Sequence, residues 1–245
     1  MKAKMLYPYA VACLFLVLAA CNAIPSALPT PTPAPTATPT AVPLASEDIL
    51  DQAAAAMEQV DSMLFTYAVK VEAAGQAMTT EGQGAFQKPD QMYMKLSILG
   101  QEIEMLMLGP DQLYVKMPGA DKFTQAPPEM TALGGSAPNI MGQLKVGDFA
   151  RTSTLEGEET LDGVPTYIVS FDMDIAKYLQ TDLANASIFD PSKTTGKGKI
   201  WIGKTDGLIY KMALEMNMAV AENPVTMQTE MLFSDFNQPV DMPQP

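Results

Sequence analysis

The chain has 245 residues, a formal charge of −13, 19 methionines, two cysteines and no histidine. So acidic a surface repels nucleic acid and anionic headgroups, and no nucleic-acid partner is expected. Without histidine, imidazole acid–base catalysis and imidazole metal ligation are excluded, and no cofactor or metal is expected.

Residues 1–20 read as an export signal, with charge at Lys2 and Lys4, an apolar centre from Ala10 to Leu18, and small Ala19 and Ala20 before cleavage. Tyr7, Pro8 and Tyr9 cut the apolar run short of the roughly 20 residues that a membrane-spanning helix needs. Leu18-Ala19-Ala20-Cys21 resembles the bacterial lipobox, whose cysteine is acylated with palmitate-type chains and holds the mature protein to the outer face of a membrane. Cys13 departs with the signal, so one cysteine remains and no internal disulfide can form.

Residues 21–45 form the lipidated end and a linker of proline, threonine and alanine. Such a segment favours extended polyproline II and has too little apolar surface to fold. About 24 residues at ~3.1 Å each reach on the order of 75 Å. A leash of that length sets a working radius, which suits a relay at one membrane better than a free shuttle.

One domain is expected over residues 46–245. Ser46 is placed to cap a helix with Glu47 and Asp48 in its first turn, and Ile49, Ala53, Met57, Val60 and Leu64 recur along one stripe. The period then changes to two through Phe65, Tyr67, Val69 and Val71. Met92, Met94, Leu96 and Ile98 continue it, with a tight return at Gly100-Gln101 into Ile103, Met105 and Met107. Leu113, Val115 and Met117 follow, then a Gly/Pro-rich stretch from Pro118 to Gly147 with one helix over residues 138–146.

Strands resume near Phe149, and Val169 and Phe171 share a face in the segment from Val164 to Asp172. Asp174 is placed to cap a helix through Ile175, Tyr178, Leu179 and Leu183. Gly196-Lys197-Gly198-Lys199 reads as a solvated turn into a strand. A turn at Thr205-Asp206-Gly207 then leads to a strand bearing Met212, Leu214 and Met216, and a last strand runs from Val225 to Phe233. Short turns between alternating segments give an α+β fold: a strongly curved antiparallel sheet of about ten strands, an unclosed half-barrel, with two or three helices in or over its concave face.

The methionines stand out. Met92, Met94, Met105, Met107, Met117, Met173, Met212, Met216, Met218, Met227 and Met231 fall on the apolar phase of a strand. Unbranched methionine specifies a core poorly but suits a deformable surface for varied apolar ligands. Two or three short helices barely cover so wide a face, so part of it is expected to meet a ligand. The candidate lipid-binding residues are Met92, Met94, Leu96, Ile98, Met105, Met107, Leu113, Val115 and Met117, with Val169, Phe171, Met212, Leu214 and Met216.

No catalytic residue is expected. Ser136 follows two glycines without a nucleophile elbow or a histidine to activate it. Asp172 with Asp174, and Glu102 with Glu104, each share a face and fall on the polar phase, where carboxylates are simply solvated.

Four stretches, "ILDQAAAAMEQVDSMLFTYAVKVE", "LDGVPTYIVSFDMD", "GKIWIGKTDGLIYKMALEM" and "FSDFNQPVDMPQP", together resemble the LppX/LprA/LprF/LprG type of bacterial lipoprotein. The matching positions are Gly163, Tyr167, Trp201, Asp206 and Gly207, with Ser234, Asp235, Phe236, Asn237, Pro239 and Val240. The resemblance implies a fold like that of the lipoprotein-sorting proteins of the Lol system. It also implies binding of lipids or glycolipids in the hollow and their transfer across the envelope, without chemistry, by a lipid-anchored monomer. A second reading is an envelope sensor or interaction module of the same fold that binds a protein partner.

Overall fold

A computed structural model describes residues 45–109, 112–126, 140–182, 191–220 and 223–245. Cys21, the linker and Leu183 lie outside the described residues. The first helix, α1 (Ser46–Glu58), buries Ile49, Leu50, Ala53 and Met57 along the predicted stripe. It differs from expectation at both ends. Ala45, with no side-chain cap, precedes the helix, and Ser46 is its first residue, whose hydroxyl donates to the Ser153 carbonyl at 3.1 Å. The helix also stops three residues earlier than β1 requires of its stripe: Val60 is buried in the connection, while Leu64 already belongs to a strand and faces away from the helices.

Among the described residues, eleven strands form one sheet. They are β1 (Ser62–Ala73), β2 (Gln76–Gln87), β3 (Gln91–Ile98), β4 (Gln101–Leu108), β5 (Leu113–Lys116), β6 (Thr124–Gln125), β7 (Ala150–Leu161), β8 (Val164–Met173), β9 (Thr195–Gly203), β10 (Ile209–Val220) and β11 (Asn223–Ser234). The spatial order is β6-β5-β4-β3-β2-β1-β11-β10-β9-β8-β7, and every pairing is antiparallel. β6 and β7 do not pair with each other, so the sheet is a curved, unclosed half-barrel. Two hairpin meanders meet where β1 joins β11, the one contact between the first and last long strands.

Among the described residues, three short α-helices accompany α1: α2 (Ile140–Gln143), α3 (Val146–Phe149) and α4 (Ile175–Asp182). The helix expected over residues 138–146 is therefore two separate turns, buried through Ile140, Leu144, Val146 and Phe149. Asp174 caps α4 as expected, its Oδ1 accepting from the Lys177 N–H at 3.2 Å. Phe149 then joins the elements edge-on, with ring centroids 6.0 Å from Phe171 and 5.2 Å from Tyr178.

Two local readings are corrected. The β3–β4 return is Leu99-Gly100, both in the left-handed region with φ of 51° and 78°, one residue earlier than Gly100-Gln101. Gly196 to Lys199 is not a turn but the start of β9. Gly198 lies beneath the Phe171 ring, where a Cβ would collide with it, so the glycine serves packing rather than turning.

The residues of the resemblance close the end of the sheet where β1 begins. The Asn237 side-chain oxygen accepts from the Asp61 N–H at 2.7 Å, and Ser62 Oγ donates to the Gln238 carbonyl at 2.6 Å. Asp235 and Asn237 adopt left-handed φ, which these two residue types tolerate. Phe236 stands edge-on to Tyr210, whose hydroxyl donates to Asp206 in the β9–β10 turn.

Candidate functional site

Strand alternation separates the sheet into two faces of opposite chemistry. The face away from the helices carries a lattice of cross-strand ion pairs, including Lys197 with Glu215, Lys199 with Glu156, Lys211 with Glu230 and Lys95 with Glu102. Each is open to solvent on at least one side, so water and salt weaken it and the lattice serves solubility and register more than stability. The helix side carries the methionines.

The registers align these side chains in rungs across the helix-side face. One rung runs Met212–Met231–Tyr67–Gly82–Leu96–Ile103. Its neighbour runs Phe233–Phe65–Gly84–Met94–Met105–Val115. A third runs Met63–Phe86–Met92–Met107–Leu113. Toward the opposite end, Met216, Met227, Val71 and Met78 form another.

Gly82 and Gly84 interrupt two rungs because large rings lie over them. A Cβ on Gly82 would sit 2.6 Å from Tyr67 Cε1, and one on Gly84 would collide with the Phe65 ring and the Tyr93 carbonyl. Burial under this packing pushes the Tyr67 hydroxyl up to about 12, so it stays neutral at physiological pH.

Nine of the predicted residues lie on these rungs, Ile98, Val169, Phe171 and Leu214 lie elsewhere on the same face, and Met117 does not join it. Met92, Met94, Val169, Phe171, Met212, Leu214 and Met216 are buried in the core cluster with α1, α2 and α3. The backbone N–H of Ile209 donates to the sulfur of Met57 at 3.4 Å, tying α1 to β10. Leu113 and Val115 are buried in a satellite cluster with Ala126 against Met105. Leu96, Ile98, Met105 and Met107 are half-buried on the same face. Met117 stands apart beyond β5, 51% exposed.

The sequence reading missed the contribution of β2. Met78 and Thr80 extend the face on that strand, but two glycines in its apolar phase erased the alternation. The rung register would have required those glycines only if the rings of β1 were known to lie across them.

Burial is graded along the face. The β7–β11 half, with the first residues of β1, is packed under helices. Val71, Met78, Leu96, Ile98, Ile103, Met105, Met107, Val225 and Met227 are half-buried or exposed. They lie on β1–β4 and β11, all but Met105 and Met107 nearer the end bearing the β1–β2 and β3–β4 turns, and continue the core's apolar lattice outward. Such a surface can accept methylene groups.

Two hollows open on the other face. One of about 780 Å³ is lined by the ion-pair lattice, with Lys70, Glu156, Lys199, Glu215 and Trp201 among its walls. The other, about 1080 Å³, sets Leu64, Leu232 and Phe236 among Asp206, Asp235 and Asp241.

The two carboxylate pairs are engaged separately. Asp172 accepts from the Thr152 hydroxyl at 2.9 Å while Asp174 caps α4. Glu104 accepts from the Tyr93 hydroxyl at 2.8 Å and pairs with Lys116. Burial pushes the Glu104 carboxyl up, but these partners outweigh it and hold it below its ordinary value. Among the described residues, no group of three or more His, Cys, Asp or Glu side chains could hold a metal ion.

No family model matches the sequence, and no curated protein matches it. Solved structures do. LprF from Mycobacterium bovis superposes with a TM-score of 0.51 at 15% identity, over 81% of this chain and 96% of that one. The Mycobacterium tuberculosis lipoprotein LppX gives a TM-score of 0.51 at 14% identity, over 81% of this chain and 100% of that one. The protein therefore has an LppX/LprF-type fold: an open antiparallel half-barrel with helices against its apolar face. At such identity the likeness defines the fold; the function rests on the face itself.

Proposed function

We propose that the protein is an extracytoplasmic, membrane-anchored lipoprotein, acylated at Cys21, that binds the acyl chains of a lipid or glycolipid against its methionine-rich face and hands them on without catalysis. The observation that carries this reading is the graded burial of the rungs. The apolar lattice that forms the core under α1 to α3 continues through Leu96, Ile98, Met105, Met107 and Met227 without ending where the helices end.

Burying a methylene releases about 0.8 kcal/mol, so a 16-carbon chain represents on the order of 10 kcal/mol before ordering costs. Methionine suits this task because its flexible thioether adapts to chains of different length and bend. The likeness in fold to LppX, a lipoprotein, is consistent with the reading. A monomer tethered by residues 21–45 would act as a relay at one membrane.

The test is uptake of a fluorescent fatty acid by the purified full chain. Saturable binding, displaced by unlabelled fatty acid and weakened by Met105→Lys or Met227→Lys, supports the reading. Absence of saturable uptake contradicts it.

A second reading, an envelope interaction module with a protein partner, is favoured by the hollow of Leu64, Leu232 and Phe236 with its aspartate rim. Photo-crosslinking from position 232 in intact envelopes tests it. A single stoichiometric adduct is expected if this surface holds a partner.

A further inference from the structure

Among the described residues, the most exposed large apolar side chain is Leu99. It is 83% exposed and sits with φ of 51° at the tip of the β3–β4 hairpin. With Gly100 at 78°, both central residues of the turn are left-handed, the geometry for which asparagine or aspartate followed by glycine is favoured. A leucine there gains nothing from the fold: it buries no surface and occupies a backbone region that Cβ-bearing side chains avoid.

Comparison within the molecule sharpens the point. Among the described residues, three hairpins have two-residue turns of this kind: Ala74-Gly75 between β1 and β2, Leu99-Gly100 between β3 and β4, and Asp162-Gly163 between β7 and β8. Asp162, the residue type the turn favours, lies at the end of the sheet where β1 begins. The two turns with apolar first residues lie at the opposite end, because the registers place the β1–β2, β3–β4 and β10–β11 turns on the same side. On β1, β2, β3 and β11 that is the end toward which the apolar face loses its cover, and Met78 stands 46% exposed, whereas Met216 and Met218 on β10 stay buried.

Charge is absent from these two tips, although the β10–β11 connection on the same side carries Glu222. Residues 73–77 (Ala-Ala-Gly-Gln-Ala) and 98–101 (Ile-Leu-Gly-Gln) contain no ionisable side chain, in a protein of net charge −13. On the strands leading to them, Lys70 pairs with Glu72 and Lys95 with Glu102. Two neutral, apolar tips continuous with an apolar inner face match one kind of partner in charge as well as polarity: a lipid surface of zwitterionic headgroups, into which short apolar tips insert.

We propose that the Ala74 and Leu99 hairpin tips dock onto a zwitterionic lipid surface, bringing the open edge of the methionine face against the bilayer so that an acyl chain passes between them without crossing water. The proposal extends the lipid-binding reading but is tested apart from it. A protein that takes its lipid from a soluble carrier would bind fatty acid and leave these tips in water.

The native chain has a single tryptophan, Trp201, on the outer face of β9, which serves as an internal reference. Full-length chains carrying Leu99→Trp, or separately Ala74→Trp, are mixed with vesicles of phosphatidylcholine with and without dibrominated acyl chains. The expected result is a blue-shifted emission from the added tryptophan that the brominated lipid quenches, while Trp201 of the unsubstituted chain is unaffected. Quenching of both added tryptophans no greater than that of Trp201 overturns the proposal, whatever the outcome of fatty acid uptake.

Leu99→Asn supplies the complementary variant, since asparagine suits the turn. It should melt no lower than the unsubstituted chain, yet lower the affinity of the tips for the vesicles on the order of tenfold, as expected for loss of one buried leucine. In a Leu99→Asn, Ala74→Trp chain the quenching should weaken accordingly. A lowered melting temperature with unchanged quenching would show that Leu99 serves the fold, and would overturn the assignment.

Discussion

Met216 and Met78 occupy the two ends of one rung, joined through Met227 and Val71, yet Met216 is 2% exposed and Met78 46%. The same residue type, on the same face, serves as core at one end and as open surface at the other. The two should respond differently to truncation. Met216→Ala is expected to cost about 2–5 kcal/mol of stability, as for other large-to-small core changes. Met78→Ala, which leaves no cavity, should stay within about 0.5 kcal/mol. Fatty acid affinity should follow the reverse order once both variants are compared below their unfolding transitions. Urea denaturation with a binding titration measures both.

Phe65 and Gly84 supply the next prediction. The ring fills the place of the missing side chain, and the Tyr93 carbonyl blocks any escape. Gly84→Ala should therefore cost about 1–3 kcal/mol through overpacking. Phe65→Leu in the same chain should recover part of that loss, although Phe65→Leu alone is destabilising. Additive losses in the double-mutant cycle would contradict the packing described.

Stability should fall at alkaline pH in a defined window. Burial pushes Tyr67 up to about 12. Burial, then the bond to Glu104, does the same for Tyr93, and burial followed by the bond to Asp206 for Tyr210. In the unfolded chain each releases its proton near its ordinary value of about 10. Between the two values the folded state holds protons that the unfolded state has lost, so stability is intact below that window and declines across it. Tyr67→Phe should flatten part of the decline in unfolding midpoint against pH. A profile identical to that of the unsubstituted chain would show that Tyr67 titrates as if in water.

Cys21→Ser tests the anchor separately from the domain. The expected outcome is transfer of the protein from the membrane fraction to the soluble envelope fraction, with fatty acid binding unchanged. Retention of the variant in membranes would contradict acylation at this residue.

The antiparallel meander was legible because alternation is the direct imprint of a sheet with one apolar face: β3, β4, β8, β10 and β11 all show it. β2 was illegible because Gly82 and Gly84 take up the space of rings contributed by β1, a relationship between strands that no single-strand pattern contains. The same cause turned Gly196 and Gly198, which lie beneath Met173 and Phe171, into a supposed turn. Leu64 was drawn into the helical stripe because its spacing fits, whereas the chain had already extended at Ser62, held there by Asn237 and Gln238 from the far end of the sequence. The methionine face was visible residue by residue. Its division into a closed half and an open half was not, since that depends on where three short helices come to rest.

The central claim is that this face holds acyl chains. Native mass spectrometry of the full chain, purified gently from a lipid-producing bacterium, tests it most directly. The account predicts a population heavier than the bare polypeptide and its Cys21 acyl groups by the mass of a lipid or glycolipid, lost on denaturation and diminished in Met105→Lys. A single species at the mass of the acylated polypeptide alone, unchanged after incubation with phospholipid vesicles, would contradict it.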